Sequence, residues 1–211
     1  MGCTNLLAID EFKNAEEINV VGLSQGALIA RYIVESCDGV KARNLLSIGG
    51  PNMGVSSIPN CSSGAACAAI NKVVRTLVYM TGAADHFGPA GYFRDPHNYY
   101  QYLKNSFLAK LNNETNAEED NKTNFKNLNG LMLVMFEKDT MVDPKESEWF
   151  WSLDVNDKKV IPLEEDNFYK NDELGLKTLN EANKVKFVKV DGDHLQFSDD
   201  DTANTFIPFL L

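Results

Sequence analysis

The 211-residue chain predicts an α/β protein built on a parallel sheet. Three observations carry that reading. Two short apolar runs, Ile18–Val21 and Asn44–Ile48, each end at glycine and enclose a stretch with helical spacing. A third, wholly apolar run covers Leu131–Phe136. A fourth, Val185–Val190, alternates near the end. Parallel strands need crossover segments between them, so strand, helix, strand, long insertion, strand, helix, strand, helix reads as one wound sheet.

The elements follow in order. Ile18-Asn19-Val20-Val21 is β-branched and closes at Gly22, as a buried parallel strand does. Gly26 to Cys37 places Leu28, Ile29, Tyr32 and Ile33 at helical intervals. Asn44–Ile48 is closed by Gly49-Gly50-Pro51. Residues 51–129 are rich in Ala, Asn, Gly and aromatic residues, with helix-like pieces near Ala68–Met80 and Tyr99–Leu111. A segment of that length is too long for a plain loop and predicts a helical lobe inserted into a core of residues 1–50 and 130–211. Pro144–Trp151 reads as a short helix with Glu146 and Glu148 near its start. Asp199-Asp200-Asp201 opens a terminal helix, where acids complement the helix dipole.

Composition removes several function classes. Hydrophobic residues make up 44% and charged residues 24%, which fits neither a disordered nor a collagen-like chain. Twenty Lys and Arg stand against thirty Asp and Glu, a formal charge of −10. No basic cluster exceeds two residues, so nothing is arranged to neutralise the phosphates of a nucleic acid. No run of 18 apolar residues is long enough to span a bilayer. Met1–Leu7 lacks the basic flank and apolar stretch of a signal peptide. Met1-Gly2-Cys3 is like an acylated terminus, but Leu6 stands where that pattern needs Ser or Thr.

The four cysteines, with no CxxC and three histidines, make a poor zinc set. No metal and no cofactor is expected. Four buried thiols are one alternative. However, Cys61 sits in Pro59-Asn60-Cys61-Ser62-Ser63-Gly64, which reads as surface, and the preferred pairing is Cys61–Cys67 with Cys3–Cys37. Glycosylation sequons begin at Asn60, Asn113 and Asn121, and three together lean toward a secretory route.

The chemistry sits in Gly22-Leu23-Ser24-Gln25-Gly26, between a strand and a helix. In that setting the serine occupies a strained turn that lifts its hydroxyl above the sheet. Side chains at Gly22 and Gly26 are both expected to collide with neighbouring backbone. The Gln25 backbone N–H lies at a helix N-terminus, where it can hold an oxyanion. A serine needs a base, and the chain order for this architecture is Ser, then an acid, then His. His86 and His97 fall in the insertion and read as structural or surface residues. His194, in Asp191-Gly192-Asp193-His194-Leu195, is the one histidine after the last strand. The orienting acid should follow Leu131–Phe136. Asp139 is three residues past it, and Asp143 is the competitor, better placed to introduce the Pro144 turn.

Taken together, these residues resemble the palmitoyl-protein thioesterases of the lysosomal type. Beside the serine turn, the matching stretches are Leu46–Val55, Ile58–Cys61, Asp139–Pro144 with Ser147–Phe150, Leu174–Lys177 and Gly192-Asp193-His194-Leu195-Gln196. The resemblance implies an α/β-hydrolase fold whose inserted lobe forms a groove for a fatty acyl chain. It implies Ser24 as nucleophile, His194 as base, Asp139 as orienter, and hydrolysis of the thioester between a long acyl chain and a protein cysteine. S-acylated proteins or peptides are the implied partners, in a lysosomal or secreted glycoprotein, and the resemblance supports both disulfide pairings. Met141 and Val142 are candidate groove residues, with Ile58, Leu77 and Phe87 from the insertion; plain core packing is the alternative for each.

Two other functions stay open. The same three residues would cleave an oxygen ester, and a lipid-binding homologue without catalysis is a third reading. The resembling family also carries roughly a further half-domain before the serine turn, whereas about twenty residues precede Ser24 here. The expectation is a truncated chain in which Ile18–Val21 presents an open apolar edge. A second oxyanion donor would be absent, leaving a protein of low stability and activity; one lost donor costs about 10²–10³ in rate.

Overall fold

The computed structural model describes residues 2–61, 64–79, 88–115, 122–154 and 159–211. Two short helices, α1 (Gly2–Leu6) and α2 (Asp10–Lys13), lead into β1 (Ile18–Leu23), α3 (Gln25–Ser36) and β2 (Ala42–Ile48). Next come α4 (Ala65–Leu77), α5 (Tyr99–Asn105), α6 (Phe107–Leu111) and α7 (Lys122–Lys126). The chain then returns to the sheet as β3 (Gly130–Phe136). A small antiparallel pair, β4 (Ser152–Leu153) and β5 (Val160–Ile161), is followed by α8 (Asn167–Lys170), α9 (Leu176–Glu181) and β6 (Val185–Val190). Helix α10 (Asp199–Asp201), a π turn at Thr202–Phe206 and α11 (Ile207–Leu210) end it.

The main sheet runs β1-β2-β3-β6, every neighbouring pair parallel. All seven residues of β3 are buried, because both faces of the sheet are covered. Its side chains alternate between two cores. Leu131 and Leu133 join Leu45, Val20, Val34, Phe125 and Leu179 on one face. Met132, Val134 and Phe136 join Leu46, Ile48 and Phe206 on the other. β1 is an edge strand on which Val21 and Leu23 remain about two-fifths exposed.

The segment between β2 and β3 carries its own core, with Leu28 of α3 packed among Val55, Phe93, Tyr102, Leu108 and Val142. A buried polar hub joins it to the sheet. Arg31 is fully buried, its Nε on Glu35 Oε1 at 3.0 Å, its Nη2 on Asn112 Oδ1 at 2.8 Å and its guanidinium 4.8 Å from the Phe150 ring centroid.

Several local readings are corrected. The helix expected across Tyr99–Leu111 is broken at Ser106, whose extended backbone (ψ 136°) ends α5 while its Oγ accepts the Leu108 N–H and caps α6. Pro144–Trp151 forms a 3₁₀ turn at Lys145–Trp149 rather than an α-helix. The β4–β5 pair, α8 and α9 are structure that the hydrophobic pattern did not announce. A parallel sheet with a serine turn between β1 and α3, and a helical segment inserted after β2, is an α/β-hydrolase fold.

Candidate active site

The β1–α3 junction is as tight as its glycine suggests. Ser24 has φ 52° and ψ −130°, a left-handed backbone that a non-glycine residue adopts at a cost, and its N–H is held by the Ile48 carbonyl at 2.8 Å. A Cβ at Gly22 would lie 2.4 Å from Ala27 Cα. Gly26 differs from expectation: a Cβ there meets nothing within 4 Å, so only the first glycine is required by close approach. Gln25 opens α3, and the first N–H groups of a helix have no acceptor within it.

Three side chains from distant segments converge at this turn. His194 Nε2 lies 2.8 Å from Ser24 Oγ, and His194 Nδ1 lies 2.5 Å from Asp139 Oδ2. The Asp139 carboxylate can only accept, so Nδ1–H donates to it, and in the neutral ring that leaves Nε2 to accept from the serine hydroxyl. The Asp139 side chain is fully buried and that of His194 is 11% exposed. Local structure holds each group. Asp139 Oδ1 accepts the Met141 and Val142 N–H groups at 2.7 and 2.8 Å. Asp193 Oδ1 accepts the His194 and Thr140 N–H groups, tying the two loops together. Gly49, at φ 61°, lies so close that a Cβ would come within 3.2 Å of His194 Cε1.

Asp143, the competing acid, is elsewhere: its carboxylate accepts from Ser57 Oγ at 2.5 Å, and it does not cap the following turn, whose N-cap is Pro144. Burial pushes the Asp139 carboxyl up, but hydrogen bonds from His194, Glu148, Val142 and Met141 outweigh it and hold Asp139 below the usual carboxylate range.

Beside Ser24 and His194 lies a cavity of ≈ 210 Å³ walled mainly by apolar side chains. Of the groove residues expected from sequence, Ile58, Met141 and Val142 line it. Leu77 does not. It is 51% exposed on α4, and the helix turns Val74 and Val78 inward instead, one position away from the residue chosen. Phe87, His86 and the sequon asparagine Asn121 lie outside the described residues. His97 is exposed on a 3₁₀ turn at Pro96–Asn98.

Sequence reasoning missed Val55, Val74, Val78 and Phe93 as lining residues. The four-residue interval between Val74 and Val78 was the available signal. It also placed Glu148 at a helix start, whereas that side chain is 1% exposed against Asp139.

Cys3–Cys37 and Cys61–Cys67 are disulfide-bonded, with Cα–Cα separations of 5.3 and 5.1 Å. Asn60 is exposed. Asn113 is not a usable glycan acceptor in this fold: it is 8% exposed, and its Nδ2 donates to the Glu173 carbonyl at 3.0 Å. Asp139, Glu148 and His194 bring ligand-type atoms within 4.8 Å of one another. A cation there would have to displace the Asp139–His194 bond, so the group is a poor metal site.

The palmitoyl protein thioesterase family model matches residues 2–194. The chain is 36% identical to palmitoyl-protein thioesterase 1 of Caenorhabditis elegans over 93% of its own length and 66% of that protein's. Palmitoyl-protein thioesterase 3 of Dictyostelium discoideum is 35% identical over 83% of the chain and 60% of the relative. A Drosophila melanogaster protein named as a homolog of the lysosomal thioesterase PPT2 is 30% identical over 82% and 60%. The chain thus spans about two thirds or less of the length of these relatives.

Proposed function

The chain belongs to the palmitoyl-protein thioesterase family, and from that premise we propose that it hydrolyses thioesters between long fatty acyl chains and cysteines of S-acylated proteins or peptides. The observation that carries this reading is the continuous hydrogen-bond chain from Ser24 through His194 to Asp139 at the mouth of an apolar cavity.

His194 Nε2 takes the Ser24 proton as Oγ attacks the thioester carbonyl. Asp139 stabilises the imidazolium that forms and keeps its Nδ1–H aimed away from the serine. The tetrahedral oxyanion rests on the Gln25 backbone N–H. As the C–S bond breaks, the thiol leaves with the proton from His194, and Ser24 keeps the acyl group. Water, deprotonated by His194, then releases the fatty acid and restores the serine.

Ile58, Val74, Val78, Phe93, Met141 and Val142 offer the acyl chain an apolar path beside the serine. Each buried methylene contributes about 0.8 kcal/mol, so lengthening the chain within the cavity strengthens binding steeply. The disulfides, and the naming of relatives as lysosomal, support a lysosomal or secreted setting.

A serine-directed fluorophosphonate probe is expected to label Ser24, with labelling lost in Ser24→Ala and strongly slowed in His194→Ala. Palmitoyl-cysteine peptide should be cleaved faster than the matched oxygen ester. Labelling of Ser24 that is indifferent to His194→Ala would overturn the mechanism. Equal cleavage of the two substrates would move the assignment to a carboxylesterase.

A further inference from the structure

Glu148 sits behind the serine–histidine–aspartate chain, and the mechanism above does not use it. Its side chain is buried at the end of the Lys145–Trp149 turn. Oε2 accepts the Phe136 N–H at 2.9 Å. Oε1 is buried and receives no N–H or O–H donor. What lies against the Glu148 carboxyl is the carboxyl of Asp139. Two ionised carboxylates have only acceptors, so a bond between them requires a proton, and two like charges this close do not both ionise.

The donors decide which acid keeps that proton. Asp139 receives two backbone N–H groups and the His194 Nδ1–H, whereas Glu148 receives a single N–H. We propose that Glu148 is a positioning residue: a neutral carboxylic acid whose O–H donates to the Asp139 carboxylate and holds it in the plane where it meets His194. This rests on the role given to Asp139 above. Asp139 and Glu146, both negative, disfavour the ionised form of Glu148, and the titratable group that also faces the pair is His194, within 4.8 Å and bonded to Asp139. Burial first, then Asp139, push Glu148 up to about 10, in keeping with a group that holds its proton at working pH.

Glu148→Gln keeps both contacts, its carbonyl for the Phe136 N–H and its amide N–H for Asp139. Glu148→Met keeps the volume and loses both. Infrared spectra at about pH 8.5, where Glu35 at about 7 is largely ionised and Glu148 at about 10 is not, should show the carbonyl stretch of a protonated carboxylic acid in the wild type, absent from Glu148→Gln. Fluorophosphonate labelling of Ser24 should stay within about twofold in Glu148→Gln and fall about ten- to a hundredfold in Glu148→Met, the value of one hydrogen bond to a charged group.

The alkaline limb separates positioning from packing. Wild-type labelling should decline as pH approaches 10, and Glu148→Gln should not share that decline, even if Glu148→Met fails to fold. A missing protonated-acid band, a folded Glu148→Met with wild-type labelling, or identical alkaline limbs in wild type and Glu148→Gln would each overturn the proposal. If Ser24 labels normally but no acyl thioester is cleaved, the substrate assignment fails while the Glu148 result stands. If Ser24 never labels, the role of Asp139 fails, and the infrared band alone decides the protonation of Glu148.

Discussion

Two buried carboxyl groups in different regions, Glu114 in the inserted segment and Glu148 behind the candidate active site, are driven in opposite directions. Glu114 accepts from Arg94 Nη2 at 3.0 Å, Tyr99 Oη at 2.9 Å, Tyr102 Oη at 2.6 Å and Asn112 Nδ2 at 3.2 Å. Burial pushes its carboxyl up, but the Arg94 charge and these bonds outweigh it, and Glu114 is held below the ordinary range. Glu148 has one N–H donor and is pushed up to about 10. Glu35 falls between them. It has one bond from Arg31 and a bare buried Oε2, and it is pushed up to about 7 because burial exceeds what Arg31 returns. Burial alone therefore does not set the charge of an interior acid; the charges and donors facing it decide how far burial is offset.

The largest break in this comparison is Asp139→Asn. It removes the charge that the donors around Asp139 sustain, and it favours the wrong His194 tautomer. Ser24 labelling and thioester cleavage should drop about 10⁴-fold with the fold intact, as judged by circular dichroism.

Next is Glu114→Ala, which leaves the buried Arg94 without its carboxylate between the Tyr99 and Tyr102 rings. A loss of about 3–5 kcal/mol in urea unfolding is expected. A loss under 1 kcal/mol would show that the cluster is solvated rather than buried.

The smallest effect, and the sharpest test of the ordering, is Glu35→Gln. Folded Glu35 keeps a proton that the unfolded chain releases above about 4.5, so its stabilising contribution is complete below that pH and is lost as pH rises through about 7. The slope from one such proton is at most about 1.4 kcal/mol per pH unit. Thermal unfolding across pH 4.5–7 should therefore fall less steeply in Glu35→Gln than in the wild type. Glu148 acts with the same sign up to about 10. Asp139 and Glu114, held low, act oppositely and lose their contribution as pH falls through their folded values. Together these groups put the stability maximum on the acid side of neutrality.

How much was legible beforehand follows from the range of each interaction. β3 and most of β2, the central strands, announced themselves because strands covered on both faces are apolar; the edge strands β1 and β6 showed instead through a β-branched run closed by glycine and through alternation. β4, β5, α8 and α9 did not, because two-residue strands and short helices are too brief to show a period. The break at Ser106 was missed for a related reason: the apolar spacing runs through it, while the capping hydroxyl also donates to the Gly91 carbonyl at 2.7 Å, a tertiary bond.

By itself the sequence determined the order strand, serine turn, helix, and the order of nucleophile, acid and histidine along the chain, since these depend on neighbouring residues and on chain direction. It also favoured Asp139 over Asp143 as the acid that meets His194, by its place just after the strand. Tertiary structure alone decided that α4 turns Val74 and Val78 inward rather than Leu77, and that Glu148 is shut away beside another acid. Those outcomes depend on which distant segments exclude water from which side chains. No local pattern of residues encodes the number of donors a buried group will find there.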